Sequence, residues 1–197
     1  MKPTENYFTM PVDLKQYSNP DYKPGGKVKR AFWFLFNAFF LRNPYNPFGG
    51  LKRGVLRMFG AKIGKGVVIK PAVNIKYPWF LSIGDYSWIG ENVWIDNLGK
   101  VLIGSNVCIS QGALLLCGNH DYKKTNFDLI VGDIELEDGV WIGAKAIVTG
   151  NVVCKSHAIL TAGSVASQDL DAYSIYRGNP AEFVRERKLE DTVEVKK

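Results

Sequence analysis

The sequence predicts an all-β domain built as a parallel β-helix with a cap at each end, and three observations carry that reading. Aliphatic residues recur at a spacing of six, a small residue follows most of them at a fixed offset, and Gly is abundant, at 20 of 197 residues. The aliphatic series runs Ile63, Ile69, Ile75, then Ile83, Ile89, Ile95, then Ile103, Ile109, Leu115, and resumes at Leu136, Ile142, Val148, Cys154 and Leu160. Cys154 fits because a free thiol packs as a small hydrophobe. A period of six matches neither the helical repeat of about 3.6 residues nor plain strand alternation. It suits a short strand followed by a turn, repeated as one face of a prism.

Four positions after the aliphatic residue stands a second inward residue with less bulk: Val67, Val73, Ser87, Val93, Val107, Ala113, Val140, Ala146, Val152, Ala158 and Ser164. Three faces make a coil of about eighteen residues, and stacked coils pair as parallel strands ~4.8 Å apart. The small-residue rule fails at Trp79, Gly99 and Asn119, each in the third hexapeptide of its triplet. There the step to the next repeat is eight residues from Ile75 to Ile83, eight from Ile95 to Ile103, and 21 from Leu115 to Leu136. All three insertions therefore fall on one corner of successive coils, and loops on a rigid scaffold tend to carry function.

The long insertion holds His120, one of only two histidines. A neutral imidazole near pH 7 suits a general base, so His120 is the candidate catalytic residue. His157, beside a corner in the fourth position of its hexapeptide, reads as a surface residue. Cys117, three residues before His120, raises a Cys/His nucleophile as a rival to its reading as a packing residue. Cys108 and Cys154 follow the regular pattern and read as unreactive. Trp79, Trp88, Trp94 and Trp141 occupy variable positions and are expected to pack against a cap or a neighbouring subunit, with sugar stacking as the alternative.

Residues 1–60 read as an N-terminal arm and helical cap, 61–171 as the β-helix with a protruding loop at about 117–135, and 172–197 as a C-terminal segment and helix. Within the first part, 28–42 form an aromatic helix stopped by Asn43-Pro44, and 49–59 a second amphipathic helix. An open β-helix end exposes strand edges, so capping is expected. Trp33, the phenylalanines, Lys27, Lys29 and Arg30 also fit contact with a membrane surface. The apolar run Ala31–Leu41 is too short to span a bilayer. Pro180 suits the first turn of a helix over 181–190.

The net charge of +6 and pI of about 9.1 admit nucleic acid, an anionic membrane surface or a polyanionic coenzyme. No dense basic run with interleaved aromatics occurs in the repeats, which argues against nucleic acid. Three cysteines without metal-like spacing, and no signal peptide, point to the cytoplasm.

The segments VVIKPAVNIKYPW, WIGENVWIDNLG, VCISQGA, GNHDY, DGVWIGAKA and GNPAEFVRER together resemble the hexapeptide-repeat acyltransferases, and among them the WcaF-like, colanic-acid-type acetyltransferases. The resemblance spans about residues 20–190. It implies a left-handed β-helix, a homotrimer, and acetyl-CoA as co-substrate bound between subunits with no metal. It implies O-acetylation of a sugar hydroxyl on a saccharide or exopolysaccharide precursor, with His120 as base. Gly143, Ala144 and Ala162 match positions at the thioester and pantetheine arm, with the Ala144 amide as oxyanion donor. Ser167, Gln168 and Arg185 match the adenine and 3′-phosphate end. A Lys and a basic residue common in related sugar acetyltransferases are replaced by Gln168 and Glu182, so Arg187 or Lys188 is an alternative phosphate contact. Asp96 matches a polar position beside the acceptor, with Asn97 its neighbour. Two readings compete: a three-His zinc enzyme of the same architecture, for which two histidines on different corners do not suffice, and a non-catalytic binding or scaffold module. A sugar amine or a small alcohol is the alternative acceptor.

Overall fold

The computed structural model describes residues 12–190; the first eleven residues of the expected arm and the last seven of the C-terminal segment lie outside it. Coil 1 holds β1 (Lys62–Ile63), β2 (Val68–Ile69) and β3 (Asn74–Ile75), and coil 2 holds β4 (Leu81–Ile83), β5 (Trp88–Ile89) and β6 (Trp94–Asp96). Coil 3 holds β7 (Val101–Ile103), β8 (Cys108–Ile109) and β9 (Leu114–Leu116), followed by a hairpin of β10 (Gly118–His120) and β11 (Leu129–Val131). Coil 4 holds β12 (Ile134–Leu136), β13 (Trp141–Ile142) and β14 (Ile147–Thr149), and coil 5 holds β15 (Val152–Cys154), β16 (Ile159–Leu160) and β17 (Val165–Ala166). A further turn begins with β18 (Ser174–Gly178), on which β19 (Ala181–Glu186) folds back antiparallel.

The strands stack into three faces of a left-handed parallel β-helix: face A (β1, β4, β7, β12, β15), face B (β2, β5, β8, β13, β16, β18, β19) and face C (β3, β6, β9, β14, β17). The aliphatic series stacks in register, as in Ile69, Ile89, Ile109, Ile142 and Leu160 on face B. Every member is buried except Ile63, half-buried on the first coil, and all eleven small residues are buried too. The residue before each small one has a positive φ, from Gly66 (67°) to Gly163 (70°), and Gly or Asn fills seven of these eleven corners. The three insertions all lie between face C and face A, at the CA corner.

Coil 1 has no coil beneath it, so the carbonyls that point away from coil 2 have no strand partners. The cap supplies donors. α1 (Lys27–Phe36), continued by a π-helical stretch Asn37–Leu41, buries Trp33, whose Nε1 donates to Ile75 O at 2.9 Å. From α2 (Gly49–Met58), Lys52 Nζ donates to Lys70 O (2.9 Å), Arg53 Nη1 to Val67 O (2.8 Å), and Arg57 Nη2 to Ile63 O (2.8 Å). Lys52 is fully buried, and desolvation holds its pKa below the ordinary lysine value.

The expected C-terminal helix is instead the β18–β19 hairpin. Coil 5 leaves an open edge on face B, and pairing Ile159–Leu160 with Ile175–Tyr176 fills it. Pro180 therefore sits in a hairpin turn, Tyr176 and Phe183 meet edge to face at 6.0 Å, and Arg187 Nη1 donates to Gly139 O and His157 O at 3.0 Å each.

The edge bonds give a direct test. Lys52→Met removes a buried donor from the part-buried Lys70 carbonyl and should cost about 1–3 kcal/mol in urea unfolding. Lys65→Met, which removes an exposed 3.9 Å ion pair to Asp85, should cost at most ~1 kcal/mol. Equal effects would show that the buried lysine does not hold the edge.

Candidate active site

The long insertion leaves the end of face C at Cys117 and rises as the β10–β11 hairpin, with His120 paired to Leu129. The loop tip turns back so that the His120 ring stacks on Phe127, with centroids 4.4 Å apart and planes 11° from parallel. His120 Nδ1 lies 2.9 Å from Phe127 O. A carbonyl oxygen only accepts, so Nδ1 carries the proton, and the neutral ring bears its lone pair on Nε2. The half-buried imidazole is thus held in the tautomer a base needs.

The N-terminal arm braces this loop. Asp13 N donates to Thr125 O (2.9 Å) and Leu129 N to Asn19 Oδ1 (3.2 Å), while Tyr22 Oη donates to Leu98 O (2.9 Å) in the shorter insertion one coil below. Burial raises the Tyr22 hydroxyl far above the ordinary phenol range. Tyr17 stands beside His120 at a ring separation of 5.9 Å. Sequence reasoning missed both Tyr17 and Phe127: one acts from a distant segment, the other through its backbone.

Cys117 is buried, and desolvation pushes its thiol up to about 12. A protonated thiol inside the prism is a poor nucleophile. Asp96 ends face C one coil below the hairpin: Cys117 N donates to Asp96 O (3.3 Å), and Lys76 Nζ lies 3.4 Å from its Oδ1. Asn97 departs from the expected substrate contact. It is 0% exposed, and its amide bonds Tyr77 N (3.0 Å) and Tyr77 O (2.6 Å), locking the corner from within.

The other corners differ in a way that concerns a ligand. At the AB corner, side chains of the next coil cap the turn amides: Lys65 N to Asp85 Oδ1 (2.9 Å), Asp85 N to Ser105 Oγ (3.2 Å), and Ser105 N to Asp138 Oδ1 (2.7 Å). The equivalent amides at the BC corner belong to Glu91, Gln111, Ala144 and Ala162, and among the described residues they donate to no protein acceptor. Gly143 permits the tight stack there, since a Cβ on it would come within 2.5 Å of Ala162 N. The BC corner is therefore a row of outward amide donors one coil apart.

Ser167 and Gln168 are exposed just after β17, and Arg185 is exposed on β19. Arg185, Lys188, Trp141 and Phe183 line a groove of about 960 Å³ on face B, whereas Arg187 is held by its two corner carbonyls. His157 is a corner residue with φ 61°, stacked on Tyr173 at 4.7 Å. Trp88, Trp94 and Trp141 point outward, while Trp79 stacks on Tyr77 at 5.1 Å, under Lys29 Nζ at 4.4 Å, as part of the cap. Among the described residues no cluster of His, Cys, Asp or Glu could hold a metal ion. His120 at the CA corner and Ala144 at the BC corner are separated, within one chain, by the width of face C.

A six-residue β-helix with one inserted corner defines the class, and sequence comparison narrows it. No protein-family model matches the chain. WcaF of Escherichia coli (strain K12), provisionally named a colanic acid biosynthesis acetyltransferase, is 35% identical over 176 residues, covering 89% of this chain and 97% of the relative. The galactoside O-acetyltransferase of the same strain is 23% identical over 138 residues, 68% of each chain. The hexapeptide-repeat acetyltransferase VCA0836 of Vibrio cholerae superposes with a TM-score of 0.76 at 21% identity, covering 89% of this chain and 97% of its own. A galactoside acetyltransferase in complex with coenzyme A gives 0.75 at 22% identity, covering 91% and 92%. The chain belongs to the hexapeptide-repeat acetyltransferases, in the branch that contains WcaF.

Proposed function

We propose that the protein transfers an acetyl group from acetyl-CoA directly to a hydroxyl of a saccharide, in a polysaccharide precursor, with His120 as general base. The observation that carries this is the bond from His120 Nδ1 to Phe127 O. Nε2 takes the proton of the acceptor hydroxyl as its oxygen attacks the thioester carbonyl. The tetrahedral oxyanion is met by a backbone N–H, for which Ala144 is the candidate. Collapse breaks the C–S bond, and the leaving thiolate takes the proton from the imidazolium. Gly143, Ala144 and Ala162 border the pantetheine arm; Ser167, Gln168 and Arg185 serve the adenine and 3′-phosphate; Asp96 serves the acceptor. The names of WcaF and of the galactoside O-acetyltransferase support a sugar acceptor.

His120→Ala should lower turnover by about 10²–10⁴-fold in a thiol-release assay over a saccharide panel. Coenzyme A affinity should persist, and Cys117→Ala should stay active. A dead Cys117→Ala enzyme that folds, with acetyl trapped on the wild-type thiol, would replace this mechanism with a covalent one.

Because base and amide row lie on different corners, we assign each site to two subunits of a homotrimer. Sedimentation should give three times the 22.0 kDa chain mass. A stable, active monomer would be incompatible with a shared site.

The cap also suits an anionic membrane surface on the cytoplasmic side. Between Asp21 and Asp85 the chain has twelve Lys or Arg and no Asp or Glu. Val28, Phe32, Leu35 and Phe39, at helical spacing, are each at least 50% exposed. No helix among the described residues is long and apolar enough to cross a membrane, so the contact is interfacial. The protein should sediment with phosphatidylglycerol vesicles, and Phe32→Ser/Phe39→Ser should weaken this roughly tenfold. Equal binding by the variant would reject the role of this row.

A further inference from the structure

Between α1 and the outer side of face C lies a cleft of about 310 Å³ whose lining includes Arg30, Phe34, Asn37, Arg42, Lys76 and Trp94. Three cations and no acid are among its lining residues, and Asp96 lies beside it, 3.4 Å from Lys76 Nζ. Such a group of cations repels itself and favours an anion.

A second observation specifies the ligand further. Four buried side-chain polar atoms among the described residues lack a hydrogen-bond partner, and three belong to this cleft or its rim: Arg30 Nε, Asn37 Oδ1 and Asp96 Oδ1. Buried polar groups are normally paired. Asn37 is 8% exposed and its Nδ2 donates to Asn74 Oδ1 at 2.8 Å, so the orientation of its free oxygen is fixed. Arg30 Nε lacks an acceptor, as a phosphate oxygen would be; Asn37 Oδ1 lacks a donor, as a hydroxyl would be, whereas Asp96 Oδ1 on the rim already faces the Lys76 ammonium. Trp94 and Phe34 are exposed aromatic side chains in the cleft lining against which a sugar can pack.

The position fits an acceptor rather than the coenzyme. The cleft lies at coils 1 and 2, whereas Ala162, Ser167, Gln168 and Arg185 lie at coil 5 or beyond, at least three coils or ~14 Å along the axis. The His120 hairpin leaves face C one coil above Asp96.

We propose that this cleft binds the phosphate or diphosphate of a phosphate-linked sugar, so that the acceptor is an activated sugar rather than a free saccharide. This rests on the acetyl-transfer reading for its role but not for the binding itself. The shared chemistry is a glycosyl phosphate ester, carried either by a soluble nucleotide or by a lipid.

Calorimetry on the full chain saturated with coenzyme A tests it, with UDP-galactose, methyl galactoside, and a lipid diphosphate galactose in detergent as probes. At least one diphosphate probe should bind roughly tenfold or more tightly than methyl galactoside, and the tighter of the two identifies the source. Arg30→Gln/Arg42→Gln should remove about that gain without changing coenzyme A affinity or the unfolding midpoint, and Arg42→Lys should retain part of it. The proposal falls if no diphosphate probe exceeds methyl galactoside, if the double variant binds equally well, or if coenzyme A displaces the diphosphate. Arginine-dependent binding in a protein that fails to bind coenzyme A would leave the cleft standing and remove the acetyl-transfer reading.

Discussion

Each coil of this fold satisfies its backbone on the coils above and below, so the six-residue face must hold its length wherever the stack is to continue. One residue more on face A or B would turn the inward aliphatic row outward and break the ladder on both sides. The same dependence leaves the first coil short of partners. There the chain uses long cations as hydrogen-bond donors, and Lys52, Arg53 and Arg57 stand in for a missing strand. The far end solves the problem differently, by adding β18 and folding β19 back over it.

That constraint distributes function over the corners. The AB corner satisfies turn amides of its own through Asp85, Ser105 and Asp138. The BC corner keeps its length but leaves its amides bare: Ala144 and Ala162 offer no side-chain acceptor, and Glu91 and Gln111 do not turn theirs onto the corner amides. Only the CA corner carries extra residues, and the hairpin that holds His120 rises there. A reacting centre that needs both a bare amide and an inserted histidine is difficult to build on one prism and natural between two.

The prism was legible because period six has no competitor among ordinary helices and strands, and the interruption of that period marked His120 without any tertiary information. Where single residues were read by position alone, the outcome depended on packing. Asn97 neighbours Asp96 in sequence, yet the turn sends it inward to Tyr77. The charged spacing of 181–190 imitates a helix, but an open sheet edge offers backbone bonds that no local propensity opposes. The brace of Tyr17 and Asn19 on the loop joins segments about a hundred residues apart, which no local pattern encodes. The contrast between AB and BC corners was only partly present in the residues, because Glu91 and Gln111 carry acceptors that do not cap their corner, and its meaning needed the direction of each amide.

The acid-free stretch between Asp21 and Asp85 forms the cap and first coil, while all but three of the Asp and Glu residues follow from Asp85 onward, in the later coils and the C-terminal segment. Charge separated in this way gives the molecule a permanent electric moment along the prism axis. Near a negatively charged plane such a moment experiences a torque as well as an attraction, and the protein approaches cap first. Ionic strength then governs orientation: within a Debye length of ~8 Å at physiological salt the torque acts, and beyond it the molecule tumbles freely.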